Sequence, residues 1–122
     1  MKKMLIIEDD DLTIDVMRRI FRNDFEIFYC ESAEEFYEKY SNNNFDIIIM
    51  DVSLKGTKNG LELTKEIKKI PSFTRTPILC LTAHAQTKMR KTATESGSDC
   101  FITKPVSNKV LKEAVASIIC KK

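Results

Sequence analysis

Short apolar runs alternate with amphipathic stretches along this chain. The runs are Met4-Leu5-Ile6-Ile7, Phe25-Glu26-Ile27-Phe28-Tyr29-Cys30, Phe45-Asp46-Ile47-Ile48-Ile49-Met50, Pro77-Ile78-Leu79-Cys80-Leu81-Thr82 and Cys100-Phe101-Ile102-Thr103. Runs of this length that are apolar at consecutive positions predict strands buried on both faces of a parallel sheet, here over residues 3–8, 25–30, 45–50, 77–82 and 99–103. The stretches between them carry helical spacing. Leu12, Val16 and Ile20, with Met17 and Phe21, give a wide apolar stripe over residues 10–22. Ser32 and Glu35 form a capping-box pattern ahead of Ala33, Phe36, Tyr37 and Tyr40, and Asn42-Asn43-Asn44 breaks that helix. Leu63, Ile67 and Ile70 mark a third helix stopped by Pro71, and a fourth runs from about Ala85 to a glycine cap at Gly97. Val110, Leu111, Ala114, Val115, Ile118 and Ile119 form the last. Five βα units with right-handed crossovers make a doubly wound α/β sheet with helices on both faces. No repeat, linker or low-complexity tract interrupts the pattern, so one domain over residues 1–122 is expected.

Three of the runs end on chemistry. Glu8-Asp9-Asp10-Asp11 follows the first, Asp51 the third, and Lys104-Pro105 the fifth. In an open α/β sheet, ligands bind in the crevice beyond the carboxyl ends of the strands. Carboxylates gathered there repel one another unless a cation joins them, which points to a hard divalent metal and a phosphoryl group. One or two of the acids cap the first helix and favour its dipole, but capping does not account for four in a row.

Composition excludes several classes. With 43% hydrophobic and 31% charged residues the chain reads as an ordinary globular protein. The net charge of +2 carries little meaning, because Lys2, Lys3, Lys121 and Lys122 at the ends outweigh it. Its distribution says more: residues 84–122 sum to +5 and residues 1–83 to −3. Cys30, Cys80, Cys100 and Cys120 lie in or beside apolar segments without zinc-type spacing, as reduced thiols of a cytoplasmic protein would. No signal peptide and no run long enough to span a membrane is present.

The acid pair after the first strand, the aspartate after the third, Leu81-Thr82-Ala83 at the end of the fourth and Lys104-Pro105 after the fifth together resemble the response-regulator receiver domains of two-component signalling, the CheY-like family. The resemblance covers essentially the whole chain and implies a flavodoxin-like strand order of 2-1-3-4-5. It implies that Asp51 is the phosphoacceptor, taking a phosphoryl group from a histidine kinase, a phosphotransfer protein or a small phosphodonor. It further implies that Glu8 and Asp9, with Asp51 and the backbone carbonyl of Ser53, hold Mg²⁺ or Mn²⁺. Lys104 would neutralise phosphoryl oxygens, Thr82 would donate its hydroxyl to them, and Phe101 would be the switch aromatic. Such a protein catalyses only its own phosphorylation and dephosphorylation. Its output surface would be the fourth helix, fifth strand and last helix, where Lys88, Arg90, Lys91, Lys109 and Lys112 suit an acidic partner or a second receiver. The stretch Leu54 to Gly60 departs from the family pattern by about one extra residue and by its two lysines, which bears on donor preference and phosphate lifetime. Ser53 and His84 stand where receivers control access of water to the acyl phosphate.

The rival reading is an aspartyl-phosphate hydrolase of the haloacid dehalogenase type, because Asp9-Asp10-Asp11-Leu12-Thr13 fits its Asp-x-Asp-x-Thr signature. That enzyme needs a late acidic pair, and after Lys104 only Glu113 remains. A flavin-phosphate binder needs a loop of backbone donors after the first strand, where this chain has four acids. No helix-turn-helix segment accompanies the basic C-terminal part, so direct DNA binding is not expected. Met1 directly before the first strand suits a free-standing or N-terminal receiver, whereas Leu81-Thr82-Ala83-His84-Ala85 resembles receivers attached to hybrid kinases.

Overall fold

Each apolar run forms a strand: β1 (Lys2–Ile7), β2 (Phe25–Cys30), β3 (Ile47–Asp51), β4 (Ile78–Thr82) and β5 (Cys100–Thr103). The computed structural model describes residues 1–52, 54, 58–83, 91–92, 95–104 and 106–120. All neighbouring strands are parallel and lie in the order β2-β1-β3-β4-β5, as the pattern and the resemblance predict. The helices are α1 (Asp11–Phe21), α2 (Ala33–Lys39), α3 (Gly60–Lys69) and a C-terminal helix (Asn108–Cys120), with a 3-10 turn at Pro71–Phe73. The predicted fourth helix falls mostly outside the described residues. Lys91, Thr92 and Glu95 are helical, and Gly97 at φ +96° supplies the left-handed residue that ends the segment.

The sheet separates two apolar cores. One packs Ile14, Met17 and Phe21 of α1 and Leu111, Val115 and Ile118 of the C-terminal helix on Met4, Ile6, Ile47, Ile49, Leu79 and Leu81. The other packs Phe36 of α2, Leu63 and Ile67 of α3 and Phe73 on Leu5, Ile7, Ile48, Met50, Ile78 and Cys80. Alternate residues of β1, β3 and β4 thus serve opposite cores, which is why these strands are apolar throughout.

One expectation is corrected. The stripe of α1 is Ile14, Met17 and Phe21, while Leu12 is 73% and Val16 47% exposed. Apolar residues at 12, 14, 16, 17, 20 and 21 cover more than half the helical wheel, so spacing alone left the phase open. Asp10 fixes where the helix starts: as N-cap, its side chain accepts from the Thr13 amide. At α2, Ser32 accepts from the Glu35 amide, but Glu35 turns back to accept from the Glu31 amide and pairs with Lys39, so the box is not reciprocal there. The reciprocal box closes instead at α3, between Asn59 and Glu62.

Candidate functional site

Register brings the chemistry together. Ile7 of β1 lies opposite Met50 of β3, so Glu8 emerges beside Asp51. Asp51 pairs with Leu81 of β4, which puts Thr82 one residue further out, and Thr82 pairs with Thr103, directly before Lys104. The Val52 amide donates to the Leu81 carbonyl at 2.9 Å, and the Lys104 amide to the Thr82 carbonyl at 2.7 Å, so the ladder holds to the edge of the crevice. Carboxylate oxygens of Glu8, Asp9 and Asp51 lie within 4.8 Å of one another. Glu8 is 2% and Asp51 5% exposed, Asp9 is half-buried, and Thr82 is buried.

This arrangement is electrostatically tense. Burial, then the Asp51 charge and a hydrogen bond with its carboxyl, pushes the Glu8 carboxyl up to about 7, although Lys104 pulls the other way. The Lys104 ammonium stands 3.4 Å from Glu8 Oε2 and is the cation that faces the cluster among the described residues. Three hard oxygen donors converging at a half-open crevice fit Mg²⁺ or Mn²⁺, which takes a few carboxylates and keeps several waters. Asp10 caps α1 instead of joining the cluster, and its carboxyl is held low by the Thr13 hydroxyl and amide.

The structure thus gathers Glu8, Asp9, Asp51, Thr82 and Lys104 at one edge of the sheet. Phe101 pairs with Cys80 and is half-buried against the α2–α3 core. Ser53, Pro105, His84, Lys88 and Arg90 lie outside the described residues. Lys91, Lys109 and Lys112 are exposed. Cys30 and Cys80 are buried free thiols, Cys30 pushed by burial up to about 12.

Three features were not read from the sequence. Leu12, Val16, Val106 and Leu111 line an apolar groove beside Lys104. Lys58, in the stretch after β3, pairs with Glu66 of α3, whose other oxygen accepts from the Tyr37 hydroxyl of α2 at 2.6 Å. Gly60, the first residue of α3, lies so close under β3 that a Cβ there would fall 2.1 Å from the carbonyl oxygen of Asp51. The Asn59-Gly60 pair ahead of an apolar helix was the available signal for the last.

A family model described as the response regulator receiver domain matches residues 4–116. The chain is 29% identical to the chemotaxis protein CheY of Halobacterium salinarum over 97% of both chains. It is 28% identical to the regulatory protein VanRB of Enterococcus faecalis over 96% of this chain but 52% of that protein. It spans about half or less of the longer curated relatives it matches. Among solved structures, a response regulator from Chloroflexus aurantiacus superposes with a TM-score of 0.90 at 28% identity, covering 98% of each chain.

Proposed function

The chain belongs to the response regulator receiver domain family of two-component signalling, and from that premise we propose that Asp51 is its phosphoryl acceptor. The observation that carries this is the convergence of Glu8, Asp9 and Asp51 within 4.8 Å at the end of β1 and β3, with Lys104 beside them. A carboxylate is already a nucleophile at neutral pH and needs no base. An oxygen of Asp51 forms a bond to phosphorus, the bond from phosphorus to the donor's imidazole nitrogen or carboxyl oxygen breaks, and its electron pair leaves with the donor. Anion attacking anion requires charge neutralisation, which bound Mg²⁺ or Mn²⁺ supplies as a Lewis acid. Glu8 and Asp9 would hold the metal with Asp51, and the family resemblance assigns a further ligand to the Ser53 carbonyl. Lys104, already 3.4 Å from Glu8, would add a second positive charge to the transferred group. Thr82, buried at the end of β4, would donate its hydroxyl to a phosphoryl oxygen after transfer, and Phe101 would follow Thr82 as the switch aromatic.

Residues 1–122 act as one domain that turns over only its own acyl phosphate, in the cytoplasm, with a histidine kinase or phosphotransfer protein as donor. The apolar groove of Leu12, Val16 and Val106 beside Lys104 supports such a donor, because exposed leucine and valine next to a reactive site are surface for a partner to cover. Lys91, Lys109 and Lys112 leave the output side basic, which supports an acidic partner or a second receiver there. Among the described residues no helix is long and apolar enough to cross a membrane. The hydrolase reading has no support: the family match is to receivers, and Glu113 sits on the outer face of the C-terminal helix. The test is incubation with acetyl phosphate and Mg²⁺. Intact mass gains one phosphoryl group, and Asp9→Asn or excess chelator abolishes the gain. Full labelling in chelator overturns the metal assignment.

A further inference from the structure

We propose that Gly60 is a positioning residue for the phosphoryl-transfer site: its missing side chain lets the first turn of α3 press directly on the backbone of the acceptor residue. This rests on the assignment of Asp51 above. The first turn of α3 reaches the end of β3 more closely than any other amino acid would permit. A Cβ on Gly60 would lie 2.1 Å from the Asp51 carbonyl oxygen, and 2.8 Å from both the Asp51 carbonyl carbon and the Val52 Cα. Every one of these is a backbone atom, so no side-chain rotation relieves the clash. The reason for glycine is this close approach and not backbone conformation, because Gly60 has no positive φ.

The contact is tied on both sides. The Gly60 amide donates to the Val52 carbonyl at 3.0 Å, which closes the stretch after β3 at its neck. The Gly60 carbonyl accepts from the buried Thr64 hydroxyl at 2.8 Å, and that hydroxyl lies 3.7 Å from the Cys80 sulfur of β4. Cys80 is two residues before Thr82. One turn of helix therefore touches both strands that bear the acceptor and the hydroxyl, β3 at its end and β4 at its middle. A methyl group on Gly60 has to push the Asp51–Val52 backbone toward the crevice or tilt α3 away from it. Either movement changes where the Asp51 carboxylate stands relative to Glu8 and Asp9.

The experiment compares wild type, Gly60→Ala and Phe73→Leu at a temperature where far-UV circular dichroism shows all of them folded. Phe73 belongs to the same core but precedes β4, at the opposite end of the sheet. In Gly60→Ala, labelling by acetyl phosphate slows by roughly tenfold to a hundredfold, the range expected when reacting groups are displaced by a fraction of an ångström to one ångström. Its Mg²⁺ affinity by calorimetry weakens with it. Phe73→Leu loses stability while its Mg²⁺ affinity stays within about twofold of wild type, since a generic packing loss in a folded protein leaves ligand geometry in place. Wild-type labelling and Mg²⁺ affinity in Gly60→Ala overturn the proposal, as does an equal loss in Phe73→Leu. Failure of the wild type itself to label would instead strike the acceptor assignment. Hydrogen exchange in the wild type decides the matter if Gly60→Ala does not fold. Saturation with Mg²⁺ and beryllofluoride protects the Gly60 amide, bonded to Val52, more than the Leu63 amide, bonded to Asn59 in the same helix. Equal protection at both overturns the proposal.

Discussion

Glu8 carries the sharpest consequence of the crowded carboxylates. Its affinity for a proton is raised from the ordinary 4.5 to about 7 in the folded protein, burial being the larger cause and Asp51 the next. Between those two values the native state binds more protons than the unfolded chain. Stability without metal therefore falls as pH rises from about 5 to 8, by roughly 3 kcal/mol at one pKa unit per 1.4 kcal/mol. Thermal melts in chelator across that range should show the fall, and Glu8→Gln should flatten it. An unchanged slope in Glu8→Gln would place the titration elsewhere. The same linkage makes Mg²⁺ binding stronger with rising pH up to about 7, since the metal displaces a proton. Asp51→Asn, which removes one of the repelling charges, should raise the melting temperature of the metal-free protein. Glu8, Asp51 and Lys104 could be picked out in the sequence because each directly follows an apolar run. The raised Glu8 value could not, since it depends on how deeply the crevice buries that carboxyl and on the Asp51 charge beside it, which together outweigh Lys104 at 3.4 Å.

Elements were legible where period and caps agreed. The strands of β1 and β3 and the stop of α3 at Pro71 followed from local patterns. α1 shows where they did not suffice. Six apolar positions over eleven residues admit two phases, and only packing on Met4, Ile6 and Ile49 selects Ile14, Met17 and Phe21 for the core. The energetics separate the two phases. Ile14→Ala should cost about 2–5 kcal/mol by urea denaturation, through lost transfer energy and the cavity left behind. Leu12→Ala, at a position 73% exposed, should stay within about 0.5 kcal/mol. Comparable losses at both would restore the stripe read from spacing. Labelling by acetyl phosphate should be the same in Leu12→Ala as in wild type, because the groove is offered to a macromolecular donor and a small donor does not need it. α3 holds a lesson of a different kind. Its glycine start was not read from the sequence, because what requires it is a close approach to Asp51, nine residues back and on another element.

The whole molecule is a sheet that carries the site at one edge and splits two cores, and its topology followed from five apolar runs plus a resemblance that supplied the strand order. What pattern could not supply is the response to phosphorylation, which depends on how Thr82, Phe101 and their neighbours repack together. Thr82 is fully buried and Phe101 half-buried against the α2–α3 core, on neighbouring strands β4 and β5. Binding of beryllofluoride should shift amide resonances of residues 95–104 and 108–112 as well as those at Glu8, Asp9 and Asp51, as a two-state population shift would. Shifts confined to the strand ends would reject an output surface on β5 and the C-terminal helix. The most direct test of the account is the intact mass of wild type and Asp51→Asn after parallel incubation with acetyl phosphate and Mg²⁺. Wild type should gain one phosphoryl group and Asp51→Asn none, while equal labelling of the two would place the acceptor elsewhere and contradict the assignment.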